Sequence, residues 1–551
     1  MADDSVSTTI VRHYRQILLW PLQWMPTEEG TQNQKDWEML EKAGPDNPWR
    51  ELSSEFTGDQ SRFQRRHYNE FVTFLPHVQR FLYGEGLAGK ANAWHSESPV
   101  RVFRRNDIVK ARVTTVRGAA PTTFEVGHVE LYFFFDIDVI LLAVEIHAEN
   151  LTLDRVQHTI YGLGRAYPLD WEADGSPSHC LERVEFLRAG GQVVATSDYE
   201  QDERYLAHVA RYRAPSVAAH WEYLLRPLVP HYSGEPGLMR YRNIEYHRMP
   251  LMAYLAVDDP LALTRADFVR LGLAAAPGPS QTLPYSRRHL MRFEQRNCYD
   301  RHWCNEAREF STRFVCCGRT LAVVGSAKDP AFVERETGML GQFRHQYFLL
   351  FMIAHFHRAA LLMLSDRLVI TLNKLEINNA DSVRQFKRGI RQTFEVFLRF
   401  THRYWFHDVS DQAQARDLFR MCTENLDTDR LYNEVREEIQ DMSTYLDSDT
   451  LRRQSNSMVR LTVTTIFGMI LTVCTGFLGM NLIAEADASL SQKITYFTVV
   501  GAICGLLALY AIGKSRRLSD FLDALADERL PLRAKYVALG NVFRKRTRSV
   551  F

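Results

Sequence analysis

Two uncharged, apolar runs near the C-terminus constrain the fold of this 551-residue chain more than any other feature. The first run extends from Leu461 to Ala484 and the second from Ile494 to Gly513. A helix needs about 20 apolar residues to cross the hydrocarbon core of a bilayer, and both runs meet that length. Because only the short segment 485–493 separates them, the sequence predicts a hairpin of two transmembrane helices.

The charges around the two runs predict the orientation of this hairpin. Basic residues flank it on both sides, and acidic residues lie in the loop: Arg452, Arg453 and Arg460 before the first run, Lys514, Arg516 and Arg517 after the second, and Glu485 and Asp487 between them. Cationic flanks stay on the cytoplasmic side of a membrane, and the N-terminus shows no secretory signal. We therefore expect a multi-pass protein of the cytoplasmic (inner) membrane, with both termini and a basic tail, 514–551, in the cytoplasm.

Composition and motifs argue against several classes of function. The chain has 67 Lys and Arg residues against 66 Asp and Glu residues, so its net charge of +1 does not indicate a nucleic-acid partner. Eight cysteines are too few for a disulfide-stabilised scaffold of this length. The sequence contains no Walker-type phosphate loop, no Gly-x-Ser-x-Gly and no His-Glu-x-x-His. We expect no enzyme and no cofactor.

The part of the chain before the hairpin is predicted to change from mixed α/β structure to helices. Strands are predicted by aromatic and β-branched runs, the first of them interrupted by Asp136 and Asp138, at 127–148, 186–194, 244–257 and 314–324. Residues 1–330 are therefore assigned to a large cytoplasmic α/β domain. Residues 331–460 are assigned to a helical region that ends in a long stalk helix. With the membrane hairpin, this makes the fold class α+β/α.

Two helices of the second region can be predicted in more detail. The apolar stretch Tyr347–Ala354 is interrupted by His355, His357 and Arg358, which predicts a buried helix and not a membrane span. Between Leu418 and Leu451, apolar residues recur every three or four positions, as on one stripe of a long helix. No Pro or Gly lies between Leu418 and Phe467, so this stalk helix is expected to continue into the first membrane span.

The tripeptide Gly479-Met480-Asn481 stands at the outer end of the first predicted span. A long helix that enters the membrane, this tripeptide, a short outer loop and a second span together resemble the CorA superfamily of divalent metal-ion (magnesium) transporters and channels. The resemblance covers roughly residues 418–517. It implies a homopentamer whose first span lines a pore for passive Mg²⁺ transport. Gly479, Met480 and Asn481 would then form the selectivity filter, where a ring of Asn481 amide oxygens holds the hydrated ion.

The same resemblance assigns pore-facing positions on the first span. Read back from Asn481, the spacings of the family and the helical face that they define select Thr472, Met469, Thr465, Leu461, Met458 and Ser455. These positions stay near one stripe of a helix with a period of about 3.5 residues. The resemblance therefore implies a threonine ring and apolar rings, and a narrow apolar ring can gate a pore by excluding water.

Two departures from the family keep alternatives open. The outer loop lacks the Met-Pro-Glu sequence of magnesium-type members, although Glu485 and Asp487 can still attract cations. One alternative is a transporter of the same fold for Zn²⁺, Co²⁺ or Ni²⁺. The second is a non-conducting, membrane-anchored scaffold or signalling protein, suggested by the enlarged N-terminal domain and the changed loop. A regulatory metal site is not assigned, although acidic residues of the stalk are candidates: Glu437, Asp441, Asp447 and Asp449.

Overall fold

The computed structural model describes most of the chain up to Gly479 and parts of the segment that follows. The described residues are 9–25, 36–41, 43–44, 47–52, 63–85, 98–234, 239–245, 247–278, 283–376, 380–479, 489–496, 498–499, 502–503 and 506. The chain divides into two compact units, Met1–Ile439 and Gln440–Phe551.

The strands of the described residues all belong to one 14-stranded sheet in the first unit. They are β1 (Ile10–Met25), β2 (Trp49–Glu51), β3 (Val100–Arg105), β4 (Lys110–Thr114), β5 (Thr122–Phe134), β6 (Ile137–Thr152), β7 (Arg183–Leu187), β8 (Val193–Thr196), β9 (Val229–Pro230), β10 (Arg240–Asn243), β11 (Leu251–Val257), β12 (Cys298–His302), β13 (Thr312–Cys316) and β14 (Thr320–Ser326).

The helices become longer towards the C-terminal part of the described chain. They are α1 (Asp36–Glu41), α2 (Arg65–Thr73), α3 (Pro76–Tyr83), α4 (Leu153–Gly162), α5 (Asp202–Tyr212), α6 (Ala219–Leu225), α7 (Arg265–Leu273), α8 (Arg287–Asn297), α9 (Pro330–Val333), α10 (Met339–Arg344), α11 (Gln346–Asn373), α12 (Ala380–Arg403), α13 (Ala413–Leu426) and α14 (Thr428–Gly479). The fold class is therefore confirmed at the level of a large sheet combined with helices.

Strand β1 lies at the centre of the sheet, whose main strand order is β12-β13-β14-β11-β1-β6-β5-β4-β7-β8. It pairs antiparallel with β6 from Ile10 to Gln23 and with β11 on its other side. Most pairs are antiparallel, but β11 and β14 run parallel, so the sheet is mixed. The strands predicted at 127–148 are confirmed as the hairpin of β5 and β6, and Asp136 occupies its turn with φ 62°.

Two other strand predictions meet different outcomes. The hairpin predicted at 186–194 is confirmed, because β7 and β8 pair across a turn in which Gly190 and Gly191 both have positive φ. The single strand predicted over 314–324 is wrong. The run contains the end of β13, a turn at Gly318 with φ 75°, and part of β14, which pairs antiparallel with β13. A glycine that admits positive φ lets the chain reverse inside an apolar run.

Alternate residues of the central strands contact helices on opposite faces of the sheet, as the two-residue period of a strand requires. Leu131 and Phe133 of β5 belong to the main hydrophobic core, together with Trp221 of α6 and Val269 of α7. Between them in sequence, Tyr132 contacts Phe348 of α11, with ring centroids 5.8 Å apart. The sheet is thus covered by α6 and α7 on one face and by α11 on the other.

Helix α11 is the apolar helix that follows the sheet. Its ring of Phe356 stacks on Phe134 with centroids 3.9 Å apart, and it also contacts Phe81 and Tyr404. Within the described residues, one helical stretch, Met339–Asn373, is long and apolar enough to cross a membrane, and 78% of its most apolar window is buried inside the protein. The prediction that Tyr347–Ala354 forms a buried helix is confirmed.

The long stalk helix is confirmed in length but not in its beginning. Helix α14 runs without interruption from Thr428 to Gly479, so the predicted continuity past residue 460 is correct. The prediction that it already includes Leu418 is wrong, because Asp427 adopts a left-handed conformation with φ 55° and ends α13. Aspartate tolerates this conformation better than most residues, so no glycine marks the break in the sequence.

We predict that Phe356→Ala lowers the free energy of unfolding of the first unit by about 3–5 kcal/mol, because truncation leaves a cavity against Phe134. Urea unfolding of the purified protein, followed by circular dichroism, measures this change. Val369→Ala on the same helix is the control, since Val369 is 52% exposed and its truncation should cost about 0.5 kcal/mol or less. Equal losses in the two variants contradict the assigned packing of α11.

Candidate pore-lining face

The described side chains in the second half of α14 are all exposed, and they lie on one side of the helix. At about 100° per residue, these positions fall within an arc of roughly 140°. They are Met458, Leu461, Thr462, Thr465, Gly468, Met469, Thr472, Thr475 and Gly476. Five of the six predicted pore-lining residues belong to this set, so the structure places them together on a single helical face.

The apolar residues of this face are exposed in the single chain. Met458 is 63% exposed, Leu461 69% and Met469 66%. Soluble monomeric proteins seldom expose a continuous apolar surface of this kind. In an isolated copy of the chain in water, the apolar side chains of this face are in unfavourable contact with solvent. Lipid or further copies of the chain would cover them.

The threonines of the face satisfy their hydroxyl protons within the helix. The hydroxyls of Thr465 and Thr472 each donate to the carbonyl oxygen four residues earlier, Leu461 and Gly468, at 2.9 Å. Thr462 does the same to Met458 at 2.9 Å. This pattern is common for threonine in helices and removes the cost of a free hydroxyl on an apolar surface. It leaves each oxygen with lone pairs that can accept a further hydrogen bond.

The remaining predicted site residues lie at or beyond the edge of the described chain. Gly479 is the last residue of α14, and Ser455 lies in the same helix, although its side chain is outside the described residues. Met480 and Asn481 of the predicted filter, and the loop acids Glu485 and Asp487, also lie outside the described residues.

The second predicted span is described in part. Within it, residues 494–496, 498–499, 502–503 and 506 are helical, and the helix already begins at residue 490, inside the segment predicted as the outer loop. Their apolar side chains are again exposed: Leu490, Ile494, Val499, Ile503 and Leu506. Thr498 repeats the internal hydrogen bond of α14, donating its hydroxyl to the carbonyl of Ile494 at 2.8 Å. The described part is thus an apolar helical segment, as the sequence predicts.

The acidic candidates for a regulatory metal site do not form one in the described part of the chain. Glu437 and Asp441 are exposed on α14, and the side chains of Asp447 and Asp449 are outside the described residues. No group of three or more His, Cys, Asp or Glu side chains among the described residues is placed to hold a metal ion.

A buried ionic cluster in the first unit, centred on Glu145 of β6, was not found from the sequence. The Glu145 side chain has no exposed surface. Arg15 of β1 contacts its Oε1 at 2.5 Å, and Arg344 of α10 donates to the same oxygen at 2.8 Å. His128 of β5 places Nδ1 2.7 Å from its Oε2. The cluster therefore joins three strands of the sheet to the helix that precedes α11.

A second buried acid extends the cluster along β5. The hydroxyl of Tyr132 donates to Glu130 at 2.6 Å, and Arg104 of β3 donates to the same carboxylate at 2.8 Å. Nε2 of His128 lies 3.7 Å from Glu130. The only sequence signal for this cluster was a charged residue inside each of two strongly apolar strands, which is costly unless the charge is paired.

The charges of the cluster shift one another's pKa values. Burial alone would raise the pKa of Glu145, but His128 and Arg15 hold it well below its ordinary value. Burial likewise lowers the pKa of His128, but Glu130 and Glu145 together raise it above its ordinary value. His128 is therefore favoured as a cation between two carboxylates. Each carboxylate has protein partners, which makes the cluster a structural clamp and not a catalytic centre.

A cavity of ≈ 250 Å³ lies next to α13. His357, Phe406 and Phe419 line its buried part, and charged residues of both signs, among them Arg420 and Glu424, line its opening. Burial lowers the pKa of His357 to about 3, and its Nε2 lies 2.5 Å from the carbonyl oxygen of Tyr404. The histidine is therefore neutral and already paired, so it is not a general base.

A scan against protein-family models matches no family, and a search of the curated proteins finds no match. The most informative features of this chain are the exposed face of α14 and the tripeptide that begins at its last residue.

The ionic cluster predicts a pH dependence of stability. Because the folded-state pKa of His128 is raised, its stabilisation is complete below the unfolded-state pKa of about 6.5 and is lost as the pH rises through the folded-state value. The free energy of unfolding should fall by up to about 1.4 kcal/mol per pH unit in that interval. Urea unfolding at pH 6 to 9 measures the slope.

The variant His128→Gln should be less stable at pH 6 and should lose this part of the slope. His402→Gln on α12 is the matched control, because His402 is exposed. Parallel pH profiles for the wild type and His128→Gln would contradict the assigned role of His128.

Proposed function

We propose that this chain is a CorA-like channel that transports divalent cations, most readily Mg²⁺, passively across the cytoplasmic membrane. In this proposal five copies form the pore, residues 461–484 and 494–513 cross the membrane, and both termini are cytoplasmic. The observation that carries the proposal is the exposed face of α14, which combines apolar residues with internally bonded threonines and leads directly to Gly479-Met480-Asn481.

Assembly is a physical requirement of this proposal. Two helices from one chain cannot enclose a polar pathway, so several copies must supply its wall. The exposed apolar and threonine residues of α14 need a different environment from bulk water. In a ring of copies, each position on this face becomes a ring of identical side chains around the axis, as Met458, Leu461, Thr465, Met469 and Thr472 would do.

The threonine rings suit a hydrated cation. Water in the first shell of a cation points its oxygen at the ion and its hydrogens outwards. The lone pairs of Thr465 and Thr472 can accept those hydrogens, because the hydroxyl protons are already donated to the helix. Mg²⁺ loses its water reluctantly, so a wall that binds its hydration shell suits it better than direct ligands. Asn481 would contribute amide oxygens in the same way at the outer end.

The apolar rings would supply the gate, and the membrane potential the driving force. A narrow ring of Met458 or Leu461 side chains excludes water and hydrated ions, and a widened ring admits them. A potential of 100 mV is worth about 2.3 kcal/mol per charge, and therefore roughly twice that for a divalent ion.

The same fold is compatible with a different transported ion. A Zn²⁺, Co²⁺ or Ni²⁺ transporter would keep the fold, and the missing Met-Pro-Glu sequence of the outer loop is its motivation. Parallel uptake of these ions and Mg²⁺ into liposomes ranks them. A non-conducting scaffold, the alternative from another class, would carry none of them.

We predict that Asn481→Ala abolishes selective Mg²⁺ uptake into liposomes and leaves assembly intact, because it removes the proposed ring of amide oxygens. A dye that reports Mg²⁺ inside the vesicles measures uptake, and light scattering measures the mass of the assembly. Thr498→Val is the control, since this threonine lies on the second helical segment. Normal uptake by Asn481→Ala would make the filter assignment wrong.

We also predict that Leu461→Asn raises uptake several-fold at low driving force, because a polar ring keeps water in the proposed gate. Leu461→Met is the matched control, since it keeps the ring apolar at a similar volume. Equal uptake by Leu461→Asn and Leu461→Met would place the gate elsewhere.

A further inference from the structure

We infer that adjacent copies of the chain dock through two different helical surfaces: the basic outer face of α12 on one copy and the acidic outer face of α14 on the next. This inference rests on the assembly in the proposed function and names the contact that builds it. We define the basic face as Arg384, Arg388, Arg391, Phe394 and Leu398, and the acidic face as Glu434, Glu437 and Glu438.

The basic face lies on the side of α12 that points away from the protein. Arg384, Arg388 and Arg391 are exposed and follow one another at spacings of four and three residues, which places them on one side of a helix. The opposite side carries buried residues: Phe386, Ile390, Phe397 and Phe400. Helix α12 is therefore packed on one side and charged on the other.

Two apolar side chains continue this face towards the C-terminus of α12. Phe394 is 37% exposed and Leu398 38%. A pair of apolar residues next to arginines is typical of a surface that is covered in an assembly, where aromatic residues and arginine are enriched.

Most arginines of α12 are already neutralised within the chain, but two are not. Arg399 and Arg403 form ion pairs with Asp136, and Arg384 lies 3.5 Å from Asp381. Within the described part of the chain, Arg388 and Arg391 form no ion pair. Glu395 is also exposed on this side of α12, one turn after Arg391. The two arginines outnumber it, so the basic face keeps a net positive charge through Arg388 and Arg391.

The acidic face of α14 is likewise an exposed, charged side of a helix whose other side is buried. Val435 and Ile439 are buried, and Glu434, Glu437 and Glu438 lie exposed between and beside them. Glu434 is paired with Arg430 at 2.9 Å. Neither Glu437 nor Glu438 forms an ion pair with any other described residue.

The two faces of one chain do not meet each other. In the same copy, α12 and α14 contact through Phe397 and Tyr432, whose rings stack with centroids 5.6 Å apart. Phe397 lies on the packed side of α12, opposite to Arg388 and Arg391. A neighbouring copy, by contrast, can bring its acidic face to this basic face.

The difference between the two faces determines the kind of assembly. A surface that binds to itself gives a two-fold dimer, whereas two different complementary surfaces join copies head to tail. Head-to-tail contacts close into a ring when the rotation between copies allows it. A pore through the centre of an assembly requires such a ring, so the charge pattern of α12 and α14 agrees with the proposed function.

The experiment exchanges the charges of the two faces in the full-length protein in a zwitterionic detergent. The first variant is Arg388→Glu with Arg391→Glu, the second is Glu437→Lys with Glu438→Lys, and the third combines all four substitutions. Light scattering and native mass spectrometry give the mass of the assembly as a function of protein and salt concentration.

The first and second variants should each raise the protein concentration needed for half-assembly by about tenfold or more, because like charges then oppose each other. The combined variant should restore assembly, since the attraction is re-formed with exchanged signs. The matched control is Arg287→Glu with Arg288→Glu, two exposed arginines on α8, which should leave the mass unchanged. Circular dichroism confirms that each variant is folded.

Two outcomes would overturn this interface. One is wild-type assembly in either double variant, and the other is no recovery of assembly in the combined variant. If Arg388→Glu with Arg391→Glu assembles normally but no longer floats with phosphatidylserine vesicles, the basic face binds anionic lipid and not a second copy.

Uptake measurements separate this inference from the proposed function. An assembly that depends on these charges but carries no divalent cation would support the interface and contradict the channel. Normal uptake together with normal assembly in both double variants would contradict the interface and support the channel.

Discussion

The packing of α11 against the sheet is the contact on which the rest of the first unit depends. Phe356 stacks on Phe134 at the sheet, and α12 and α13 pack on α11. Arg344, just before α11, is held by the buried carboxylate of Glu145. An unpaired Glu145 would be too costly to bury, so the ionic contacts fix where α11 can begin. Stacked rings and a buried ion pair thus act together on one helix.

The elements that could be predicted from sequence are those with a local signal. Asp136 in an apolar run and two adjacent glycines at 190–191 mark turns that the structure contains. Strand β1 had no such signal, because it is buried on both faces and contains Pro21, so it shows no alternation. The end of α13 at Asp427 was equally hidden, since a left-handed aspartate looks like any helical residue in a sequence.

The candidate site likewise has features that the sequence predicts and features that it does not. The face of α14 could be predicted because its period belongs to one helix and its residue types resemble those of the CorA superfamily. The internal hydrogen bonds of Thr465 and Thr472 could not be predicted, since they depend on side-chain rotamers. The ionic cluster was missed because its partners are distant in sequence: Arg344 and Glu145 are 199 residues apart. Only the folded sheet brings them together.

The edges of the sheet have a consequence for aggregation. The strands that end its described part are short or charged: β2 has three residues, β8 has four, and β12 exposes Asp300, Arg301 and His302. Unpaired strand edges are templates for adding another chain, and short or charged edges resist such addition. Copies of this chain are therefore discouraged from joining strand to strand into fibrils, which leaves helical surfaces as the available route to an ordered, finite assembly.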